Sequence, residues 1–313
     1  MEVKGATFVM TAIPPINEDE SSILTHEVKP QVELMDPREY DYVISLCRQF
    51  FRDKKGFIET PVQHRLSILA ACEDPSTVAP FMYAAHVWPL PQTGQMHLEY
   101  ELLRNQKAKG FYCISTSYRN EPDPIPGRHD RIFQMFEFEC PGDMESLQEL
   151  ECEFLEFLGF GLKNSFPILE YMDIAHTYGV QELKAPHEEL IYRDFGSVGL
   201  LRHFPFFTSP FWNMKRWGDV AKKIDVIICG MEALGSAERS TDTDEMWEAF
   251  FTISDGMYAK ILFAHFGKDR VVAELKFFLS LVFFPRIGGG IGLNRLIRGM
   301  KKCGLMPVFP SLN

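Results

Sequence analysis

Apolar residues recur at helical spacing in "DPREYDYVISLCRQFF", where Tyr40, Val43, Ile44, Cys47, Phe50 and Phe51 share one face. The spacing predicts a helix from position 37. Asp36 is a suitable N-cap, Pro37 suits the first turn, and Glu39 completes a capping-box pattern. "GFIETP" reads as a strand, and residues 73–95, with Pro75, Pro80, Pro89 and Pro91, read as loop. Aromatic and β-branched residues in "FYCISTSYRNE" (111–121) predict a strand. "PDPIPGRHD" is a proline-rich loop, and "RIFQMFEFEC" alternates as the returning strand. "DMESLQELECEFLEFLGF" predicts an amphipathic helix capped by Asp143. The run from Ile224 to Cys229 is strand-like although it holds Asp225. Two helices are expected within 243–281, and "RIGGGIGLNRLIRGM" is a glycine-rich strand running into a helix. Residues 1–35, with Pro14-Pro15 and the acidic turn "NEDESS", form an extended or partly strand-like lead-in to a domain over 36–313. Strands and helices mix without regular βαβ alternation or internal repeat, which places the chain in the α+β class.

Composition narrows the function classes. The chain has 313 residues, 46% hydrophobic and 24% charged, which fits a globular protein with a sizeable core. Its 27 phenylalanines argue against a disordered chain. A net charge of −11 disfavours sequence-blind nucleic-acid binding, which needs clustered Lys and Arg. The longest apolar run, "FFLSLVFF", is bounded by Lys276 and Pro285 and is too short for a membrane span. The N-terminus lacks the pattern of a secretory signal. Seven cysteines (47, 72, 113, 140, 152, 229 and 303) include no CxxC and sit mostly in apolar runs, which suggests a reducing, cytoplasmic setting.

Three stretches carry chemistry. In the 111–140 hairpin, alternation puts Arg119 and Glu121 on one face, and Glu137 and Glu139 on one face of the partner strand, with Arg128, His129 and Arg131 between. Arginines take phosphate oxygens and carboxylates take Mg²⁺, while Phe133 offers an aromatic face to a base. Taken alone, the same residues also describe a solvated hairpin with cross-strand ion pairs. In "GGGIGLNR", Gly288, Gly290 and Gly292 allow close approach of another group, and Arg295 lies about one turn beyond. The stretch fits neither a Rossmann fingerprint nor a P-loop. In "ICGMEALGSAERS", Asp225, Glu232 and Arg239 stand at intervals of seven, which is also compatible with a strand-end Asp followed by a solvated Glu-Arg turn.

Together these stretches resemble the catalytic domain of class II aminoacyl-tRNA synthetases, in the aspartyl/asparaginyl branch. "KKGFIETP" resembles motif 1, ending at Pro61. "YRNE" through "RHDRIFQMFEFE" resembles motif 2, and "GGGIGLNR" resembles motif 3. "TGQMHLE" is similar to the "SPQLYLE" of asparaginyl enzymes, and Asp225, Glu232 and Arg239 reproduce the branch pattern Asp-x6-Glu-x6-Arg. The resemblance spans about residues 36 to 310. It implies a mixed, mainly antiparallel sheet flanked by helices, a homodimer built on motif 1, and an AMP-forming ligase using ATP and Mg²⁺. It implies Arg119 on the α-phosphate, Glu121 on adenine with Phe133 stacked against it, and Arg128 or His129 on the γ-phosphate. Arg295 would lie along the triphosphate beside Gly290 and Gly292. Glu232, with Asp225 or Glu137, would hold Mg²⁺, Gln95 the α-amino group, and Arg239 the substrate side chain.

The departures from the family pattern also carry information. The motif 2 loop is about one residue longer than usual in this branch, and the serine of Gly-Gly-Ser-x-Arg comes one position early, as Ser236. No substrate-closing Glu-Gly-Ala segment is recognisable in 73–92. Leu98 stands where aspartyl enzymes carry a lysine, so one cation favouring aspartate is missing. About 35 residues precede the first helix, too few for the OB-fold that grips an anticodon. The expectation is a stand-alone relative similar to ammonia-dependent asparagine synthetases. A minimal tRNA-charging enzyme and a catalytically dead regulatory paralogue are the alternatives. The second is disfavoured because Arg119, Glu121, Glu232 and Arg295 are all present.

Overall fold

The computed structural model describes residues 35–62, 65–71 and 75–309. The expected lead-in therefore lies outside the described residues, save Met35. Helix α1 (Pro37–Arg48) starts as anticipated, with Asp36 accepting from the Arg38 backbone N–H at 2.9 Å. Glu39, expected to complete a capping box, instead pairs with Lys301 at 2.6 Å. Beyond Arg48 the helix widens into a π-helical stretch, Gln49–Lys54, which turns Phe50 and Phe51 into the core.

The strands then follow. β1 (Ile58–Glu59) is shorter than the motif 1 pattern suggested. A hairpin of β2 (Pro80–Tyr83) and β3 (His86–Pro89) occupies the segment expected to be loop. Helix α2 (Gln95–Arg104) follows, then β4 (Phe111–Tyr118), β5 (Ile132–Pro141) and α3 (Met144–Phe157). Asp143 caps α3 in a reciprocal box with Ser146. Next come β6 (Ile168–Glu170), α4 (Tyr171–Thr177), α5 (Ala185–Phe195) and β7 (Val198–Pro205). They precede β8 (Arg216–Trp217), β9 (Val220–Ile228) and β10 (Met231–Arg239). Three helices, not two, fill the next stretch: α6 (Thr243–Thr252), α7 (Met257–Phe266) and α8 (Lys268–Leu279). Left-handed Ser254 and Asp255 break the first pair, and Gly267 at φ 84° breaks the second. The glycine strand β11 (Arg286–Gly292) runs directly into α9 (Leu293–Lys302).

Among the described residues nine strands form one sheet, ordered β1-β4-β5-β11-β10-β9-β7-β6, with β8 paired to β9. Only β1–β4 and β6–β7 are parallel, so the fold is α+β with a mainly antiparallel sheet. The period-two pattern of β5 divides the molecule. Phe136 and Phe138 join the buried cluster of Phe50, Phe51, Phe154, Leu296 and Met300 beneath α1, α3 and α9. Glu137 and Glu139 therefore face the opposite side. There α2 packs against β4 and β5, while α5 packs against β7, β9 and β10. A trough floored by β5, β11, β10 and β9 lies between these two helices.

Candidate active site

The trough has an open end and a closed end. The open end is a cavity of about 400 Å³. It brings together eleven of the thirteen residues expected at a site: Gln95, Arg119, Glu121, Arg128, His129, Phe133, Glu137, Glu232, Gly290, Gly292 and Arg295. Arg119 follows β4, donates its backbone N–H to the Arg131 carbonyl at 2.8 Å, and places its guanidinium 5.1 Å from the Phe133 ring centroid. Glu121 pairs with His129 Nδ1 at 2.8 Å. Arg128 reaches Glu188 of α5 at 2.6 Å. Arg295, in the first turn of α9, donates to the Glu232 carbonyl at 2.9 Å and lies 3.8 Å from the Glu232 carboxylate. Asn294 joins the same helix to the motif 2 loop through Asp130 at 2.8 Å. These are partly exposed charges on long side chains, converging on one space.

Glu137 is placed differently from the expected metal role. Its carboxylate accepts from the Gly94 backbone N–H at 2.7 Å and from the hydroxyls of Thr93 and Ser115, beside Gln95 at the start of α2. A carboxylate so fixed in the cavity wall suits an ammonium group better than a shared metal. Asp225 does not line the cavity, but it is close. Lys223 holds Asp225 Oδ2 at 2.7 Å, while Asp225 Oδ1 is buried without a hydrogen-bond partner. Burial, reinforced by the Glu232 charge, pushes the Asp225 carboxyl up to about 8. A Cβ on Gly235 would meet Glu232 Oε1 at 2.9 Å and Asp225 Oδ1 at 3.4 Å. Two carboxylate oxygens thus converge on a space that only glycine leaves clear. The pair suits a hard divalent cation, which would need oxygens from a bound ligand as well. Among the described residues no ready-made group of three ligands exists.

Arg239 does not line the cavity. It shares the site face of the sheet but sits at the closed end, 2% exposed. Its guanidinium donates twice to Glu139, each at 3.2 Å, and lies 3.9 Å from Glu99 of α2. Arg286 completes a quartet, reaching Glu99 at 2.6 Å and 3.0 Å and the Ser240 carbonyl at 2.9 Å. Two guanidiniums and two carboxylates close the floor. Burial raises the Glu139 carboxyl, and Arg239 works against that rise. Gly288 is required here, because any Cβ would overlap the Glu139 carboxylate. Ser236, one position early in the sequence pattern, faces the other side of the sheet and donates to Glu151 of α3 at 2.6 Å. An offset of one residue reverses the face. Leu98 is fully buried in a small apolar cluster with Val62, Leu102 and Phe111.

Sequence reasoning missed Glu188, Glu99 and Arg286 as parts of this trough. Arg286 left a signal, a charge opening an otherwise glycine and apolar buried strand. Glu99 closes the "TGQMHLE" stretch, whose glutamate matches that of "SPQLYLE", but only Gln95 was given a role there; Glu188 left no signal, since its helix acquires meaning only where it crosses the sheet.

The profile of the family described as tRNA synthetases class II (D, K and N) matches residues 38–304. The chain belongs to this family. Among solved structures it is similar to asparaginyl-tRNA synthetase from Pyrococcus horikoshii complexed with asparaginyl-adenylate, at 20% identity and TM-score 0.66, over 85% of this chain and 65% of that one. It is also similar to Entamoeba histolytica asparaginyl-tRNA synthetase in complex with asparaginyl-adenylate, at 18% identity and TM-score 0.63, over 84% of this chain and 63% of that one. The chain therefore spans about two thirds of the length of these structures, and at such identities the likeness speaks for the fold. No curated protein sequence matches significantly. No helix among the described residues is long and apolar enough to cross a membrane.

Proposed function

We propose that this protein is an ATP-dependent ligase that activates an aspartate- or asparagine-type amino acid as its adenylate. The observation that carries the reading is the convergence of Arg119, Arg128, His129 and Arg295 with Glu121 and Phe133 on one cavity. The substrate α-carboxylate attacks the α-phosphorus of ATP. An oxygen–phosphorus bond forms, the bond to the bridging oxygen breaks, and pyrophosphate leaves. No proton need be removed from the nucleophile, so the residues position groups and neutralise charge. Arg119 meets the α-phosphate, Glu121 and Phe133 the adenine, and Arg128, His129 and Arg295 the outer phosphates. Gln95 and Glu137 receive the α-amino group. Glu232 and Asp225 would hold Mg²⁺, which when bound offsets phosphate charge. Arg239 supports the floor beneath the substrate side chain, and the neutral quartet offers no net charge to a side-chain carboxylate.

The acceptor we favour is ammonia or another small amine. Family membership favours a second reading, transfer to tRNA, with the acidic surface weighing against it. ATP–pyrophosphate exchange screened across amino acids tests activation. Ammonia, amines and total tRNA offered as acceptors separate the two readings. Exchange with no amino acid would remove the proposal. We place the protein in a reducing, cytoplasmic setting as a homodimer, and a monomer in light scattering at micromolar concentration would remove the dimer.

A further inference from the structure

Glu188 enters none of the chemistry above, yet it ties three parts of the cavity together. Its Oε2 accepts from Arg128 Nη2 at 2.6 Å and from the Glu232 backbone N–H at 2.8 Å. The second contact fixes the carboxylate to the start of β10. The first engages a long side chain from the proline-rich loop between β4 and β5. Arg128 has a further contact, Nη1 to the Gly230 carbonyl, at a long 3.4 Å. Glu188 is therefore the anchored member of the pair and Arg128 the movable one. Neither side chain is sealed: they are 18% and 15% exposed, unlike the quartet at the floor.

We infer that Glu188 is a positioning residue for Arg128. It holds the guanidinium across the β9–β10 turn in the nucleotide-free protein and yields it to the outer phosphates of an arriving nucleoside triphosphate. The inference rests on the nucleotide reading of the cavity. Glu188 and the triphosphate are then rivals for the Arg128 guanidinium.

Glu188→Gln tests this, because the amide oxygen still accepts from the Glu232 N–H while the charge is lost. Calorimetry would measure ATP, AMP and inorganic tripolyphosphate binding with Mg²⁺ and without amino acid. The expected result is ATP and tripolyphosphate binding tightened about three- to tenfold, as for loss of a competing partly buried ion pair, with AMP unchanged. In an Arg128→Gln background the same substitution should change nothing. Unchanged or weaker ATP binding would overturn the inference, as would an equal gain for AMP or a gain that persists without Arg128. Thermal melting of each variant separates these outcomes from misfolding. If the wild-type protein binds neither ATP nor AMP, the nucleotide reading itself fails.

Discussion

The two ends of the trough are built from the same residue types and behave in opposite ways. At the floor, Glu99, Glu139, Arg239 and Arg286 are at most 2% exposed, and their charges are met by one another. At the mouth, Arg128, His129, Arg295, Glu121 and Glu232 are 15–37% exposed, so part of each side chain stays in water. A buried charge with its partner in place is structure, because removing either member leaves the other stranded in low dielectric. A half-exposed arginine that can exchange its partner is available to a ligand. Charge type does not separate support from chemistry in this protein. Burial does.

The largest effect should follow from breaking the floor. Arg286→Leu strands Glu99 and should destabilise the fold by about 3–5 kcal/mol in urea unfolding. Arg239→Leu should do the same to Glu139, so lost turnover in that variant must be read against its folded fraction. If either variant keeps wild-type stability, the floor is not held by charge pairing. Next comes the mouth. Arg119→Ala should lower pyrophosphate exchange by about 10²–10³-fold while the melting temperature barely moves. Near-normal exchange would remove this arginine from the reacting phosphate.

A third test uses a buried acid that has no cation. Glu151 accepts from Ser236, its second oxygen has no hydrogen-bond partner, and burial pushes its carboxyl up to about 8. The folded protein keeps this proton at pH values where the unfolded chain releases it. The associated stability is full below about 4.5 and is lost as pH rises toward about 8. Glu151→Gln should therefore flatten the decline in melting temperature between pH 5 and 8, with a gain of about a few kcal/mol at the upper end. Equal slopes in variant and wild type would rule out a buried proton there. The smallest effect belongs to His129→Gln. It should shift stability by less than about 1 kcal/mol while raising the KM for ATP. A large loss of stability would make the mouth resemble the floor.

Much of this was legible in the chain. Alternation in "FEFE" told that Phe136 and Phe138 point away from the face of Glu137 and Glu139, and the glycine strand running into a helix gave the position of Arg295. Motif spacing gathered eleven residues into one cavity. Three kinds of feature were not legible. The hairpin at 80–89 was masked by prolines that sit at its ends, Pro80 opposite Pro89. Helices α4 and α5 lack the strong apolar stripe and caps that announced α1 and α3. The family resemblance assigned Arg239 to the substrate side chain, but its position at the closed end was not legible, because spacing fixes the face of a strand and not the depth along it. That depth depends on Glu99, which arrives from a helix 140 positions earlier in the chain.

The overlap between Gly288 and Glu139 has a consequence for how the sequence can change over time. Any side chain at position 288 collides with the glutamate opposite it in β5, and shortening that glutamate alone strands Arg239. Neither position has a neutral single step, so the two should drift only as a linked pair. In a library randomised at 139, 239 and 288, survivors at 288 other than glycine should appear only alongside a smaller residue at 139 and a lost or replaced arginine at 239.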